Sequence, residues 1–596
     1  MNSSISANTP VFVPYKQKGE PQRRAGIIKV EVPLEKLTDS QLQLIGHLNR
    51  AADEMNQIFV QQCFRDTPQI AAFLEKIRPF LSREEQQRLD EYNTVLHLQN
   101  GPWTDVPRKN HQLQLSYQSV EDAARQAGES TRLNHYKDFL FDAVEFPKRV
   151  EFYPEDMTEA QLQALGPEGS KVNTVVRKEQ DSFVALRNEE LFKNACRRAA
   201  THLAEARKWA EDPEFSLYLD AKIEELHTGS DEARRLSDYH WIRHSSSVDI
   251  VISTALEVYL DGWQNAKGAA CAGVLSRNTE MDIVLQRFVD FVPQLERSAP
   301  WKWTRTEIDP EQLPRLKFVD VWNWAGDYVG SPLTVLAQSL PNDEWVGKHI
   351  GTVNMVYKNT GEAVHAVRGD IMAAEFLPRH IGEVYKDSLF YANQIHATLH
   401  EIGHTTGMQD PEHPQHAAVY LKDEYSILEE ARAELFGMWA GQQAADAGII
   451  PKQIADAGQY GMVISMITAL KFKAEQAHNI ARNIIFHYLK EQGALHIRQE
   501  DGKNKFELDL QQTTTAVEQL LGRVGDIKAS GDREAALRLR EKYCFDDELR
   551  PEIETRTEQV PLGTGLIFPE IQSSEGKFIR EIKYPEFTEQ SKFAPR

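Results

Sequence analysis

Two short segments carry the residue types of a metal hydrolase. The first is His400-Glu401-Ile402-Gly403-His404, and the second, further along the chain, is Glu429-Glu430-Ala431-Arg432-Ala433-Glu434. In a helix of about 3.6 residues per turn, His400 and His404 stand on one face, so two imidazole nitrogens can converge on one zinc with Glu401 beside them. A second helix can deliver a carboxylate as third ligand. Three protein ligands leave a tetrahedral ion one open position for water, the arrangement of catalytic rather than structural zinc.

The surrounding sequence supplies the helices this chemistry needs. Ala397, Leu399 and Ile402 give the first motif a helical apolar pattern, and Gly407 supplies a stop. Residues 427–440 are rich in Glu, Ala, Leu and Arg with no glycine before Gly437, so they predict a second helix on which Glu430 and Glu434 share a face. Upstream, a polar segment over roughly the first 25 residues reads as loose, residues 27–34 as a short strand and residues 37–64 as a capped amphipathic helix. Helical periodicity then dominates to residue 240, with breaks at Gly101-Pro102, Pro147 and Gly166-Pro167. Residues 314–385 differ. Leu316–Val329, His349–Lys358 and Glu362–Gly369 alternate or run β-branched and aromatic residues around the turn signal Asn359-Thr360-Gly361, and predict strands. Helices return over 386–490, residues 494–510 predict a hairpin turning at Asp501-Gly502, and more helix and a proline-punctuated tail follow.

Composition narrows the class. A chain of 596 residues is too long for one ordinary core and predicts two or more domains. Its 41% hydrophobic content and mean hydropathy of -0.51 describe a soluble globular protein. A net charge of -21 and a pI near 5.4 argue against nucleic acid or an anionic membrane as partner. Cys63, Cys196, Cys271 and Cys544 show no CxxC spacing, which excludes a zinc knuckle and a disulfide scaffold and suits a reducing compartment. The first residues contain no apolar signal core, and no apolar run reaches the length of about 18 residues that spans a bilayer. A cytoplasmic protein is expected.

With these motifs placed, the chain resembles the dipeptidyl-peptidase III family of zinc exopeptidases. The family's markers are an HE-led histidine motif and Glu-Glu-Cys-Arg-Ala-Glu; Ala431 here replaces the cysteine, and HEIGH is the five-residue form of some bacterial members. That form needs no irregular helical turn to align its imidazoles. The likeness extends through residues 48–62, 254–261, 340–343, 475–482 and 527–543, in order. It implies His400, His404 and Glu430 as ligands of one zinc, Glu401 as general base and then acid, and Glu429 as the partner that orients a ligand histidine. It also implies Tyr259 and His478 as donors to the oxyanion, although their residue types alone read as core and helix surface. Glu257 and Asn342 match positions that hold the substrate's amino group, while Ser339 departs from an asparagine there. Arg482 reads either as a substrate anchor or as half of an ion pair. Arg550 and Arg556 are candidates for a C-terminal substrate arginine. His365, His380, His396, His413 and His416 read as ordinary surface or core residues.

The implied fold is α+β and mostly helical, with two lobes around a wide cleft: a helical zinc-binding upper lobe, and a mixed lower lobe with a small β-barrel-like core of five strands. The lower lobe takes residues 1–278, 314–370 and 546–596, and the upper lobe takes 279–313 and 371–545. The expected activity is release of N-terminal dipeptides from short oligopeptides. Two alternatives stand beside it: a zinc aminopeptidase or oligopeptidase of another register, favoured if Ser339 loosens the amine site, and an inactive peptide-binding protein, against which the intact Glu401 argues.

Overall fold

Thr38 opens helix α1 (Asp39–Cys63) with a reciprocal cap: Gln41 N–H donates to the Thr38 hydroxyl at 3.2 Å and Thr38 N–H to Gln41 Oε1 at 2.8 Å. The cap pairs two amides that would otherwise have no partner at the helix start. Leu48, Met55, Ile58 and Phe59 then line a fully buried face. The computed structural model describes residues 9–20, 22–104, 109–258, 260–302, 315–330, 335–404, 406–407, 417–471, 476–545, 548–558, 560–561 and 564–585. Its contacts divide the chain into two compact units, one of residues 1–278, 317–367 and 561–596, the other of 279–316 and 368–560.

In the first unit, β1 (Val11–Tyr15) and β2 (Arg23–Lys29) pair antiparallel. The expected loose tail is therefore strand from residue 11 onward, anchored by buried Tyr15, Ala25, Ile27 and Ile28. Its polar composition conceals this because charged and polar residues 16–24 separate two short apolar runs. Helix α1 packs on α2 (Lys193–Arg207) and on β3 (Val248–Glu257) and β4 (Ala269–Arg277). These two strands join β5 (Arg315–Gly326), β6 (Ala337–Leu340) and β7 (Val353–Tyr357) in a five-stranded sheet of order β6-β7-β5-β4-β3. The ladder of β3 shifts register between Ser253 and Glu257. Side chains satisfy the backbone freed there: Gln62 and Asn188 each donate to Thr254 O at 3.0 Å, and Ala270 N–H donates to Gln62 Oε1 at 2.8 Å.

The strand expected at 362–369 is helical instead. Helix α3 (Lys358–Val364) continues into a π-turn over His365–Gly369, burying Ala363, Val364 and Val367 on one helical face. Asn359 makes no turn; its buried amide accepts from Val321 N–H at 2.8 Å and donates to Val321 O at 2.9 Å, which ties α3 to β5.

The second unit carries both motifs. Its helices are α4 (Arg379–His404), α5 (Glu424–Asp446), α6 (Lys452–Lys471) and α7 (Ala477–Glu491), followed by the hairpin β8 (Leu495–Glu500) and β9 (Lys503–Leu508), then α8 (Leu510–Ser530) and α9 (Arg550–Thr557). Asp501 and Gly502 have φ of 52° and 73°, the left-handed pair that a two-residue hairpin turn requires. The crossing back to the first unit comes at Pro561 rather than at 546, because α9 packs on α6. Strand β10 (Thr564–Ile567) then lies parallel to β2.

Two glycines set the spacing of α4 and α5. A Cβ on Gly403 would stand 3.3 Å from Ala433 Cα, and one on Gly437 would stand 2.7 Å from His396 Cε1 and 3.2 Å from its carbonyl oxygen. Gly437→Ala is expected to force the helices apart and cost about 1–3 kcal/mol, read as a lower urea midpoint; an unchanged midpoint would mean that the His396 ring gives way freely.

Candidate metal centre

His400 and His404 leave α4 one turn apart, and Glu429 and Glu430 come from α5 beside them. His404 Nδ1–H donates to Glu429 Oε1 at 2.8 Å, and His400 Nδ1 lies 3.6 Å from Glu434 Oε2. Both Nδ1 atoms thus face carboxylates, which favours the proton there and turns both Nε2 lone pairs inward. Those two Nε2 atoms stand 3.1 Å apart. Glu430 Oε2 lies 3.4 Å from His400 Nε2 and 3.9 Å from His404 Nε2, and it is buried without a hydrogen bond. Three electron-rich atoms this close repel one another unless a proton or a metal cation lies among them. A tetrahedral zinc with bonds of 2.0–2.1 Å would separate its ligands by about 3.3 Å, so the spacing and the N/N/O donor set fit that ion.

Charge around the ligands is arranged in layers. Arg432, fully buried, donates from Nη2 to Glu429 at 2.7 Å and from Nη1 to the Thr406 hydroxyl at 3.0 Å, and Lys528 also pairs with Glu429. Burial alone would raise the Glu429 carboxyl, but Arg432, His404 and Lys528 outweigh it and hold it well below the usual carboxylate range. Glu434 is held low in the same way, against its burial, by Arg482 and His396. Burial would lower His400, yet Glu430 and Glu434 push it up to about 9. Glu401 is half-buried and, among the described residues, makes no hydrogen bond or ion pair. Its carboxylate is left available beside the donor set.

Residues 168–424 match the model of peptidase family M49. The likeness to that family covers this stretch of the chain. It includes Glu257, Asn342 and HEIGH and stops short of Glu430. The chain is also 24% identical to Nudix hydrolase 3 from Arabidopsis thaliana over 601 positions, covering 91% of this chain and 75% of that protein. Its fold is that of two solved dipeptidyl-peptidase III structures. DPP III from Caldithrix abyssi gives a TM-score of 0.73 at 24% identity, covering 91% of this chain and 97% of that one. The enzyme from Corallococcus sp. strain EGB gives 0.63 at 22%, covering 91% and 95%.

The remaining residues that the M49 pattern suggests divide between the two units. His478, on α7, has Nδ1 3.1 Å from Glu430 Oε2 and its ring 6.0 Å from that of His400. Arg482 is ion-paired with Glu434 at 2.7 Å. In the first unit, Glu257 ends β3, and Ser339 is exposed on the edge strand β6. Asn342 Nδ2 donates to Leu256 O at 3.1 Å. Tyr259, His413 and His416 lie outside the described residues. Both C-terminal arginines are paired: Arg550 with Glu554 at 2.9 Å, while Arg556 is nearly buried against Glu375, Glu552 and Asn504 O.

Sequence reasoning missed His396, Arg432 and Lys528. His396, expected to be an ordinary residue, donates from Nε2 to Glu434 at 2.9 Å. It sits four residues before His400, so helical spacing puts both on one face. That spacing was the available signal.

Glu429→Gln is expected to weaken zinc binding about 10–100-fold, measured by competition with a chromophoric chelator, whereas Ser339→Ala should leave it unchanged. In the metal-free protein, the raised pKa of His400 contributes stability that is complete below its ordinary 6.5 and lost as pH rises through 9. Zinc uptake near pH 7.5 must displace that proton. Calorimetry in two buffers of different ionisation enthalpy should therefore detect roughly one proton released per ion.

Proposed function

We propose that this chain is a zinc-dependent exopeptidase that removes dipeptides from the amino end of short oligopeptides. The observation that carries the reading is the pair of inward-facing imidazole nitrogens with Glu430 between them and Glu401 beside them on the same helix. His400, His404 and Glu430 would hold the ion. When bound, zinc supplies a Lewis acid that acidifies water and polarises the scissile carbonyl.

The protein's own residues do the rest. Glu401 takes the proton of the attacking water and returns it to the leaving amine, work suited to a carboxylate with no hydrogen-bond partner among the described residues. His478, whose Nδ1 lies 3.1 Å from Glu430 Oε2, is assigned support of the developing oxyanion. Tyr259 is assigned the second donor. Glu257 and Asn342 are assigned the substrate ammonium, two residues from the cut, and this sets the register. Four cysteines, none of them in a disulfide, support a reducing, cytoplasmic setting. Among the described residues no helix is long and apolar enough to cross a membrane.

The test is digestion of free and N-acetylated peptides of four to eight residues, with products read by mass spectrometry. Dipeptides should appear only from free N-termini, and Glu401→Ala should lower kcat by about a hundredfold or more. Single residues or internal fragments would instead establish an aminopeptidase or oligopeptidase, and no Glu401-dependent cleavage would leave a peptide-binding protein.

A further inference from the structure

Glu257 does not stand alone. Gln338, on β6, donates from Nε2 to Glu257 Oε1, while its own Oε1 accepts from the hydroxyls of Tyr328 and Tyr357, the latter at 3.0 Å. Both tyrosines are buried. The amide can point only one way: reversing it would set its carbonyl against a carboxylate and leave both tyrosine hydroxyls facing an NH2 group. We infer that Gln338 is a positioning residue for peptide hydrolysis, a clamp that fixes the Glu257 carboxylate so that its second oxygen receives the substrate's terminal ammonium. The inference rests on the proposed role of Glu257.

Topology explains why a clamp is needed at this point. Strands β3 and β6 are the two outer strands of the five-stranded sheet, and β3 leaves its regular ladder at the register shift just before Glu257. Glu257 therefore sits where backbone pairing no longer dictates side-chain direction. Two side-chain bonds bridge the edges here, Gln338 to Glu257 and Asn342 to Leu256 O. The chemistry of the donor matters as much as its place. A lysine or arginine would orient Glu257 equally well but neutralise it and compete with the incoming ammonium. A neutral amide leaves the full negative charge for substrate.

The experiment uses zinc-loaded full-length protein and compares Gln338→Leu, Tyr357→Phe, Glu257→Gln and the Gln338→Leu/Glu257→Gln double variant. Steady-state kinetics on a free tetrapeptide are joined to calorimetric binding of that peptide and its N-acetyl form to the same set built on Glu401→Ala. The clamp predicts that Gln338→Leu raises KM and weakens free-peptide binding about tenfold with kcat within twofold, that N-acetyl peptide is unaffected, and that Tyr357→Phe moves in the same direction by less. It also predicts no further loss when Gln338→Leu is added to Glu257→Gln. An equal loss in both backgrounds, a fall in kcat at constant KM, or the same weakening for the acetylated peptide would overturn it. Should Gln338→Leu fail to fold, Tyr357→Phe carries the same cycle with Glu257→Gln. A Glu257→Gln enzyme that keeps its preference for free N-termini would overturn the amine-site reading itself, and the clamp with it.

Discussion

The need of crowded lone pairs for a shared proton or metal cation organises the second unit. Two imidazole Nε2 atoms and a carboxylate oxygen converge within 3.9 Å, each turned inward by something behind it. Glu429 holds one ring and Glu434 faces the other, and buried or half-buried cations in turn hold those two carboxylates: Arg432 and Lys528 on Glu429, Arg482 on Glu434. Breaking such a buried pair would strand a charge in low dielectric at a penalty of about 3–5 kcal/mol. The outer pairs thus maintain an inner arrangement that calls for a proton or a metal cation among its three atoms. Charged groups arranged in this way mark a site kept for chemistry.

The close approach of α4 and α5 is what makes this geometry reachable. Side chains at positions 403 or 437 would add an atom between helices that already touch, so the ligand spacing depends on what those positions lack. Ala431 and Ala433, both fully buried, serve the same end. Packing and electrostatics are therefore one problem here: a shift between the helices large enough to admit a methyl group would also separate Glu430 from the histidines.

Much of this is legible along the chain because it is local. The shared face of His400 and His404 follows from helical spacing, the cap of α1 from Thr38 and Gln41, and the hairpin from Asp501-Gly502. What is not legible depends on partners distant in sequence. His396 looks ordinary until Glu434 of the next helix is beside it, and the same carboxylate also pairs with Arg482. Residues 362–369 mislead for a different reason: a short run of Ala and Val fits period two and period 3.6 about equally, and only the burial of Ala363, Val364 and Val367 on one face separates them. Gln338 gives no sign at all, since a glutamine in a strand becomes informative only when two tyrosine hydroxyls fix its direction.

The parallel pairing of β10 with β2 has a bearing on how the molecule is made. Residues near 26 must wait for residues near 564 before their sheet has its third strand, and the whole second unit is synthesised in between. During that interval the outer edge of β2 exposes unpaired amides and carbonyls on the nascent chain, and the first unit remains incomplete while the metal-binding helices emerge and pack. Assembly on the ribosome is therefore ordered from the inside out: the inserted unit can finish first, and the unit that opens the sequence is the last to close.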